Sequence, residues 1–410
     1  MGHTTGKPRF ARDLSRISMR KEIQQSSPCQ PGNDEWYNIP LLQKHHGRCS
    51  VEVCHHVLTS HQDSADQRTV IQRIRMKKSL SLWIEKPGNV SLREEEIGDP
   101  SEGQVLVRGL FSAVSHGTEK LIYLGQVEEN LSLDLSIPGL SGKLSFPLKY
   151  GYSNAGVIEE LGKGVDKRLA GRKVFSFQPH QSYYLARPEE VFLLSPQVDL
   201  ESASLFPTVE TAFSLLLDGT PRTGELVLIL GQGSIGLVLT RLLSGTGARI
   251  ICADPYPRRQ KLSRSFGAHT CLDPYSDDFQ RECLDLTEGR GFDLTFEVSG
   301  NPEALSLAFS VAAFEADIVV GSWYGRRPVN LGTAFHRGRF RVKSSQVSTL
   351  PSAISGRWSK ERRSEVVWNL LEEMDLETLI SHHLPLKMGV EAFKLLENPT
   401  PELVQIVFTL

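Results

Sequence analysis

Residues 224–259 read GELVLILGQGSIGLVLTRLLSGTGARIICADPYPRR. Leu226 to Leu230 are apolar without a break, the pattern of a central parallel strand covered on both faces. Gly231, Gly233 and Gly236 follow at once in G-x-G-x-x-G spacing. A helix is expected from there, with Ile235, Leu237, Val238, Leu242 and Leu243 on its apolar side. The first glycine permits a tight turn, the second lets the backbone approach a pyrophosphate, and the third lets the helix pack closely on the strand. Free N–H groups of the loop, including those of Ser234 and Ile235, then hold phosphates at the positive helix end. A second strand, Arg249 to Ala253, ends at Asp254, where a carboxylate accepts hydrogen bonds from the adenosine ribose. An ordinary strand-to-helix turn leaves that acid unexplained. The full strand–turn–helix–strand–acid unit predicts a doubly wound parallel sheet that binds a dinucleotide. Asp254 repels a ribose 2′-phosphate, which favours NAD. NADP stays open if Arg258 and Arg259 fold back to neutralise such a phosphate; otherwise they are solvated residues on the next helix.

Working outward, Phe292–Gly300 (FDLTFEVSG) and Ala316–Trp323 (ADIVVGSW) read as further buried strands, separated by a helical stretch, Pro302–Phe314. Ligands lie at strand ends in such sheets, so Ser299, Gly300, Gly321 and Ser322 are candidates to line the nicotinamide ribose. The alternative is that the glycines only turn the chain. Upstream, residues 76–205 are rich in short β-like segments. They open with MKKSLSLWIEKPGNVSLREE, two alternating strands around a Pro-Gly turn. Residues 1–75 are polar and lack either period, which predicts a disordered extension with Met76 opening the folded enzyme. Within it, His45, His46, Cys49, Cys54, His55 and His56 sit close together. Their Cys-x4-Cys spacing is wider than a zinc knuckle and has no second paired element, so chance clustering is the favoured reading. A basic stretch from Arg9 to Lys21 is broken by Asp13 and so departs from a transit peptide.

The bulk properties narrow the function. In 410 residues, 40% are apolar and 23% charged, as in globular proteins, and the net charge of -2 gives no general attraction to nucleic acid or acidic lipid. No apolar run approaches bilayer length, and no secretory core stands at the start. Six cysteines without a framework point to reduced thiols and a cytoplasmic protein.

A β-rich segment ahead of this glycine motif resembles the medium-chain dehydrogenase/reductase superfamily over residues 78–410. The resemblance implies a GroES-like β-rich catalytic domain (76–205), a Rossmann domain (206–345) and a C-terminal return to the catalytic domain (346–410). Three family motifs map onto this chain. HGTE puts His116 where the first zinc-ligand cysteine stands, Thr118 where a relay hydroxyl stands and Glu119 at the acid. GYSNAG puts Tyr152 at the second ligand, a histidine in the family, and Ser153 at the following glutamate. Thr211 matches a threonine at a helix start, which leaves Pro207 at the third ligand. Proline has no ligating side chain and tyrosine rarely ligates, while catalytic zinc takes three protein ligands, so no catalytic zinc is expected. Residues 120–150 hold no cysteine, so no structural zinc is expected either. The motif S-x-G-T-E, with VGSWYG, KSSQVS and RWSKERR further on, is similar to a zinc-less branch that includes bacteriochlorophyllide-type dehydrogenases.

Without a metal, hydrogen-bond donors must stabilise the charge that hydride transfer builds on a carbonyl oxygen. The expected donors are Tyr152, Thr118 and His116. Thr118 would relay a proton from the cofactor ribose, and His116, titrating near neutrality, would supply it. Against these roles, Tyr152 fills volume, His116 is a satisfied buried histidine or a surface residue, and Thr118 caps a helix. Thr211 is expected to brace the nicotinamide, and His180 is expected to be structural. The resulting expectation is an NAD(P)-dependent enzyme acting on an activated small molecule, as a homodimer. Two alternatives stay open: a quinone or enoyl reductase using NADPH, and a catalytically silent cofactor-binding sensor or scaffold.

Overall fold

The computed structural model describes residues 76–128, 130–133 and 142–410; the extension 1–75, with its His/Cys cluster and basic stretch, lies outside the described residues. Leu226–Leu230 is a strand with every residue buried. Val227 and Ile229 enter one apolar core while Leu226, Leu228 and Leu230 enter another, so both faces are covered. The sheet around it has six strands, all parallel. Their spatial order is Thr270–Leu272, Arg249–Ala253, Leu226–Leu230, Phe292–Glu297, Ala312–Val320 and Arg341–Ser344. That is the 3-2-1-4-5-6 order of a Rossmann fold, whose reversal point lies at the end of Leu226–Leu230.

One expected boundary moves. The predicted helix Pro302–Phe314 is a helix only over Glu303–Val311, and the next strand starts at once with Ala312. The cause is non-local. Ala312 pairs with Phe292 before a register shift, and a Cβ on Gly291 would lie 2.6 Å from the Ala312 carbonyl carbon. Gly291 (φ +83) thus lets two backbones meet where the apolar pattern alone suggests a further helical turn.

The β-rich half begins with the expected hairpin, Lys77–Lys86 against Asn89–Ile97, turning at Gly88 (φ +74). A second, seven-stranded sheet takes Val105–Ala113, Asn154–Leu161, Lys173–Ser176, Tyr183–Ala186 and Phe192–Leu193 from this half. It is completed by Ile380–Pro385 and Gln405–Thr409 from the C-terminal end of the chain. Among the described residues, no helix is long and apolar enough to cross a membrane.

Candidate active site

A cleft of about 2270 Å³ gathers every site residue read from the sequence except Gly236. Gly236 lies beneath the loop, for a reason the backbone makes plain. A Cβ there would sit 2.0 Å from the Gly231 carbonyl oxygen, so only glycine lets the helix Ser234–Leu243 come this close to the turn. Gly231 has φ +97, and its Cβ would lie 2.5 Å from Ser299 Cα. Gly233 is the opposite case: a Cβ there meets nothing within 4 Å. The open face of the loop, above a helix N-terminus, suits a diphosphate. This chain's residues therefore fit the cofactor the motif implies.

Asp254 follows the second strand and is 2% exposed. Its Oδ2 accepts from the Gln232 N–H at 2.8 Å and its Oδ1 from the Tyr256 N–H at 3.0 Å. A carboxylate retains lone pairs for ribose hydroxyls after two such bonds. Arg259 does fold back, with Nη1 3.6 Å from Asp254 Oδ2 and its guanidinium 4.8 Å from the centre of the Tyr256 ring. Its Nε and Nη2, however, donate to the Leu403 carbonyl.

From the β-rich half, His116, Thr118 and Tyr152 line the same cleft, as do Pro207 and Thr211 at the start of the helix Phe206–Gly219. Thr211 donates to the Pro207 carbonyl at 2.8 Å. The capping reading of Thr118 does not hold. The helix Thr118–Tyr123 has Gly117 as its N-cap and no side-chain cap, and among the described residues nothing engages the Thr118 hydroxyl.

The expected titration of His116 is corrected. The residue as a whole is half-buried, but its Nε2 is sealed from solvent and has no partner. Burial, with the positive fields of Arg259, His382 and Lys120, pushes its pKa down to about 3. At neutral pH His116 is uncharged, so it is neither a ready proton source nor a satisfied histidine.

His180 does not line the cleft, and it anchors a chain that sequence reasoning missed. It is fully buried, with Nε2 2.9 Å from Glu119 Oε2 and Nδ1 2.5 Å from Ser112 Oγ. Glu119 Oε1 accepts from the Ser115 N–H at 2.7 Å, which fixes the loop carrying His116. Gly151 (φ +118) is required beside it, since a Cβ would fall 2.8 Å from the His180 ring. The clue was the pairing of HGTE with a histidine in QPHQ, residues far apart in sequence.

The opposite wall carries Ser299, Gly300 and Gly321. Ser299 turns its hydroxyl inward to Glu297 Oε1 at 2.5 Å, and Ser322 Oγ accepts from the Gly300 N–H at 2.9 Å. Glu297 also accepts from the Tyr324 hydroxyl at 2.5 Å, and burial with this carboxylate holds the phenol protonated. Two further features had no sequence signal. Arg363, 3% exposed, donates to Glu210 Oε1 at 2.7 Å and to the Val347 carbonyl at 2.6 Å. This ties the helix of Thr211 to the segment 344–349 lining the cleft. Phe177, Phe192, Trp323 and Trp368 give the cleft aromatic surface.

His116, Tyr152 and Pro207 share the cleft, and among the described residues no group of three or more His, Cys, Asp or Glu side chains could hold an ion. The residues do not fit a catalytic zinc.

A model of the zinc-binding dehydrogenase family matches residues 234–361. Among curated proteins, D-guloside 3-dehydrogenase of Escherichia coli (strain K12) is 26% identical over 316 residues, 73% of this chain and 90% of that protein. L-threonine 3-dehydrogenase of Pyrococcus horikoshii is 26% identical over 261 residues, 56% of this chain and 71% of that protein. Among solved structures, a short chain alcohol dehydrogenase from Escherichia coli CFT073, complexed with NADH, superposes with a TM-score of 0.65. It is 20% identical and covers 81% of this chain and 99% of its own.

Proposed function

We propose that the chain is an NAD(P)-dependent oxidoreductase of the medium-chain dehydrogenase/reductase type and that it works without zinc. In this reading it moves a hydride between NAD and the hydroxyl/carbonyl pair of an activated small molecule. One observation carries the proposal: the dinucleotide loop shares its cleft with metal positions filled by His116, Tyr152 and Pro207. When bound, the nicotinamide supplies or accepts the hydride, and negative charge develops on the substrate oxygen.

The chain's own groups answer that charge. The Tyr152 phenol and the Thr118 hydroxyl reach the cleft as hydrogen-bond donors. A well-placed donor in such a site contributes on the order of 3–4 kcal/mol. His116 at neutral pH offers an uncharged imidazole. Donors of this strength suit carbonyls conjugated to a π system, and Phe177, Phe192 and Trp368 offer flat surfaces for such substrates. The buried free thiols Cys252, Cys271 and Cys283 agree with a cytoplasmic location. The exposed edge strand Arg341–Ser344 supports a homodimer.

The test is turnover of the purified protein with NADH and, in parallel, an aromatic ketone and an enone, before and after exhaustive chelation. The expected result is unchanged rates and no stoichiometric metal, with Tyr152→Phe lowering kcat by about 100-fold. Stoichiometric zinc whose removal abolishes turnover would overturn the proposal. Tight NADH binding with no turnover on any carbonyl would favour a sensor instead.

A further inference from the structure

Asp254 alone does not settle which nicotinamide cofactor enters, because two arginines stand on the helix directly after it. Pro257–Ser265 carries Arg258 and Arg259 in its first turn, four and five residues beyond the carboxylate. Either could neutralise a ribose 2′-phosphate. The structure occupies both from the far end of the chain. Arg258 Nη1 donates to Glu402 Oε2 at 3.0 Å, and Arg258 is not part of the cleft wall. Arg259 does line the cleft, but its Nε and Nη2 both donate to the Leu403 carbonyl. That Nε–Nη2 edge is the fork an arginine uses to grip a phosphate with two parallel bonds. The remaining Nη1 faces Asp254 at 3.6 Å.

We propose that residues 402–403 act as a cofactor-selectivity element, with Glu402 and the Leu403 carbonyl holding Arg258 and Arg259 away from the adenosine 2′ position so that NADH is preferred over NADPH. The inference rests on the dinucleotide-binding reading above and extends it to residues 144 positions from the helix they restrain. Asp254 then meets the ribose as an acceptor whose charge is not offset by a free arginine fork. A 2′-phosphate would face that carboxylate without a bidentate donor. Glu402 touches neither the cofactor nor the reacting atoms in this arrangement. It is a positioning residue acting through Arg258.

The experiment titrates the full chain with NADH and with NADPH at low ionic strength, following nicotinamide fluorescence, and reads the ratio of the two dissociation constants. Wild type is expected to bind NADH more tightly. Glu402→Gln removes the charge that holds Arg258, and the ratio should move toward NADPH by about threefold, the scale of a partly exposed ion pair. The double variant Glu402→Gln with Arg258→Ala should return the ratio to the wild-type value. A structural defect would weaken both cofactors together and leave the ratio unmoved. Glu402 is 65% exposed, so its replacement leaves the core intact. A wild-type preference for NADPH, or an unchanged ratio in Glu402→Gln, overturns the selectivity element while leaving dinucleotide binding standing. Failure of wild type to bind either cofactor overturns the functional reading, and the selectivity element falls with it.

Discussion

The glycine loop offers a substitution that separates folding from cofactor binding. Gly233 has φ -71 and ψ -172, a conformation open to any residue, and a Cβ there meets nothing within 4 Å. Gly233→Ala should therefore not strain the fold. By narrowing the unfolded ensemble it should add about 0.4–1 kcal/mol of stability. The new methyl enters the space a diphosphate must approach. Crowding a close-fitting site by one such group costs about 1–3 kcal/mol. At 1.4 kcal/mol per decade, the NADH dissociation constant should rise by about 5- to 150-fold. The flanking glycines behave differently. Gly236→Ala drives a methyl to 2.0 Å from a carbonyl oxygen, and Gly231→Ala adds a positive φ to a 2.5 Å backbone clash. Each should cost at least about 1–3 kcal/mol of stability. Thermal unfolding and NADH titration of the three variants side by side check this. If Gly233→Ala binds NADH as wild type does, the open face of the loop is not a phosphate cradle and the site has been misassigned.

Two further outcomes follow from buried charge. Glu210→Ala leaves the Arg363 guanidinium buried without its carboxylate, which should cost about 3–5 kcal/mol in denaturant unfolding, and Glu210→Gln, keeping an acceptor, should cost less. His116 has a folded pKa of about 3, below the ordinary imidazole value of 6.5. Between those values the unfolded chain binds the extra proton, so this group lowers stability as the pH falls from about 6.5 toward about 3. His116→Gln should therefore lose less Tm than wild type on acidification from about pH 7 to about pH 5, and an identical loss in both proteins would contradict a sealed, neutral imidazole.

The dinucleotide half was legible because its determinants are local. Turn, helix start and acid lie within one short stretch, and Gly231 and Gly236 each meet a backbone contact that explains them. The strand Ala312–Val320 was read short at its start because its register is set by pairing with Phe292, which periodicity does not encode. The catalytic half was legible by position and opaque in its partnerships. HGTE marked Thr118 and His116 as cleft residues, but the charge state of His116 depends on burial and on the positive charge of Arg259, far away in sequence. Glu210 meets Arg363 across 153 positions. No window of sequence joins such pairs, so their roles emerge only when the chain has folded.

In the proposed reaction, the proton needed by a reduced carbonyl oxygen constrains the substrate. Glu119 and His180, 1% and 0% exposed, bond to each other and to Ser115 and Ser112, and neither lines the cleft. His116 is neutral near pH 7, so it keeps one ring N–H donor but lacks the readily released proton of an imidazolium. Thr118 and Tyr152 are among the hydroxyl-bearing residues that line the cleft, which Lys120, whose own pKa burial lowers, also lines. Hydroxyls of this kind hold a developing anion and pass a proton onward from solvent, but they are weak acids near neutral pH. A saturated alkoxide would place its full charge on oxygen before that proton arrives. The anion of a reduced quinone or enone spreads its charge into its own π system, and a phenol-like oxygen with a pKa of about 10 is matched to a tyrosine donor. On the zinc-independent reading proposed above, the donors in the cleft favour carbonyls whose reduced anion is delocalised.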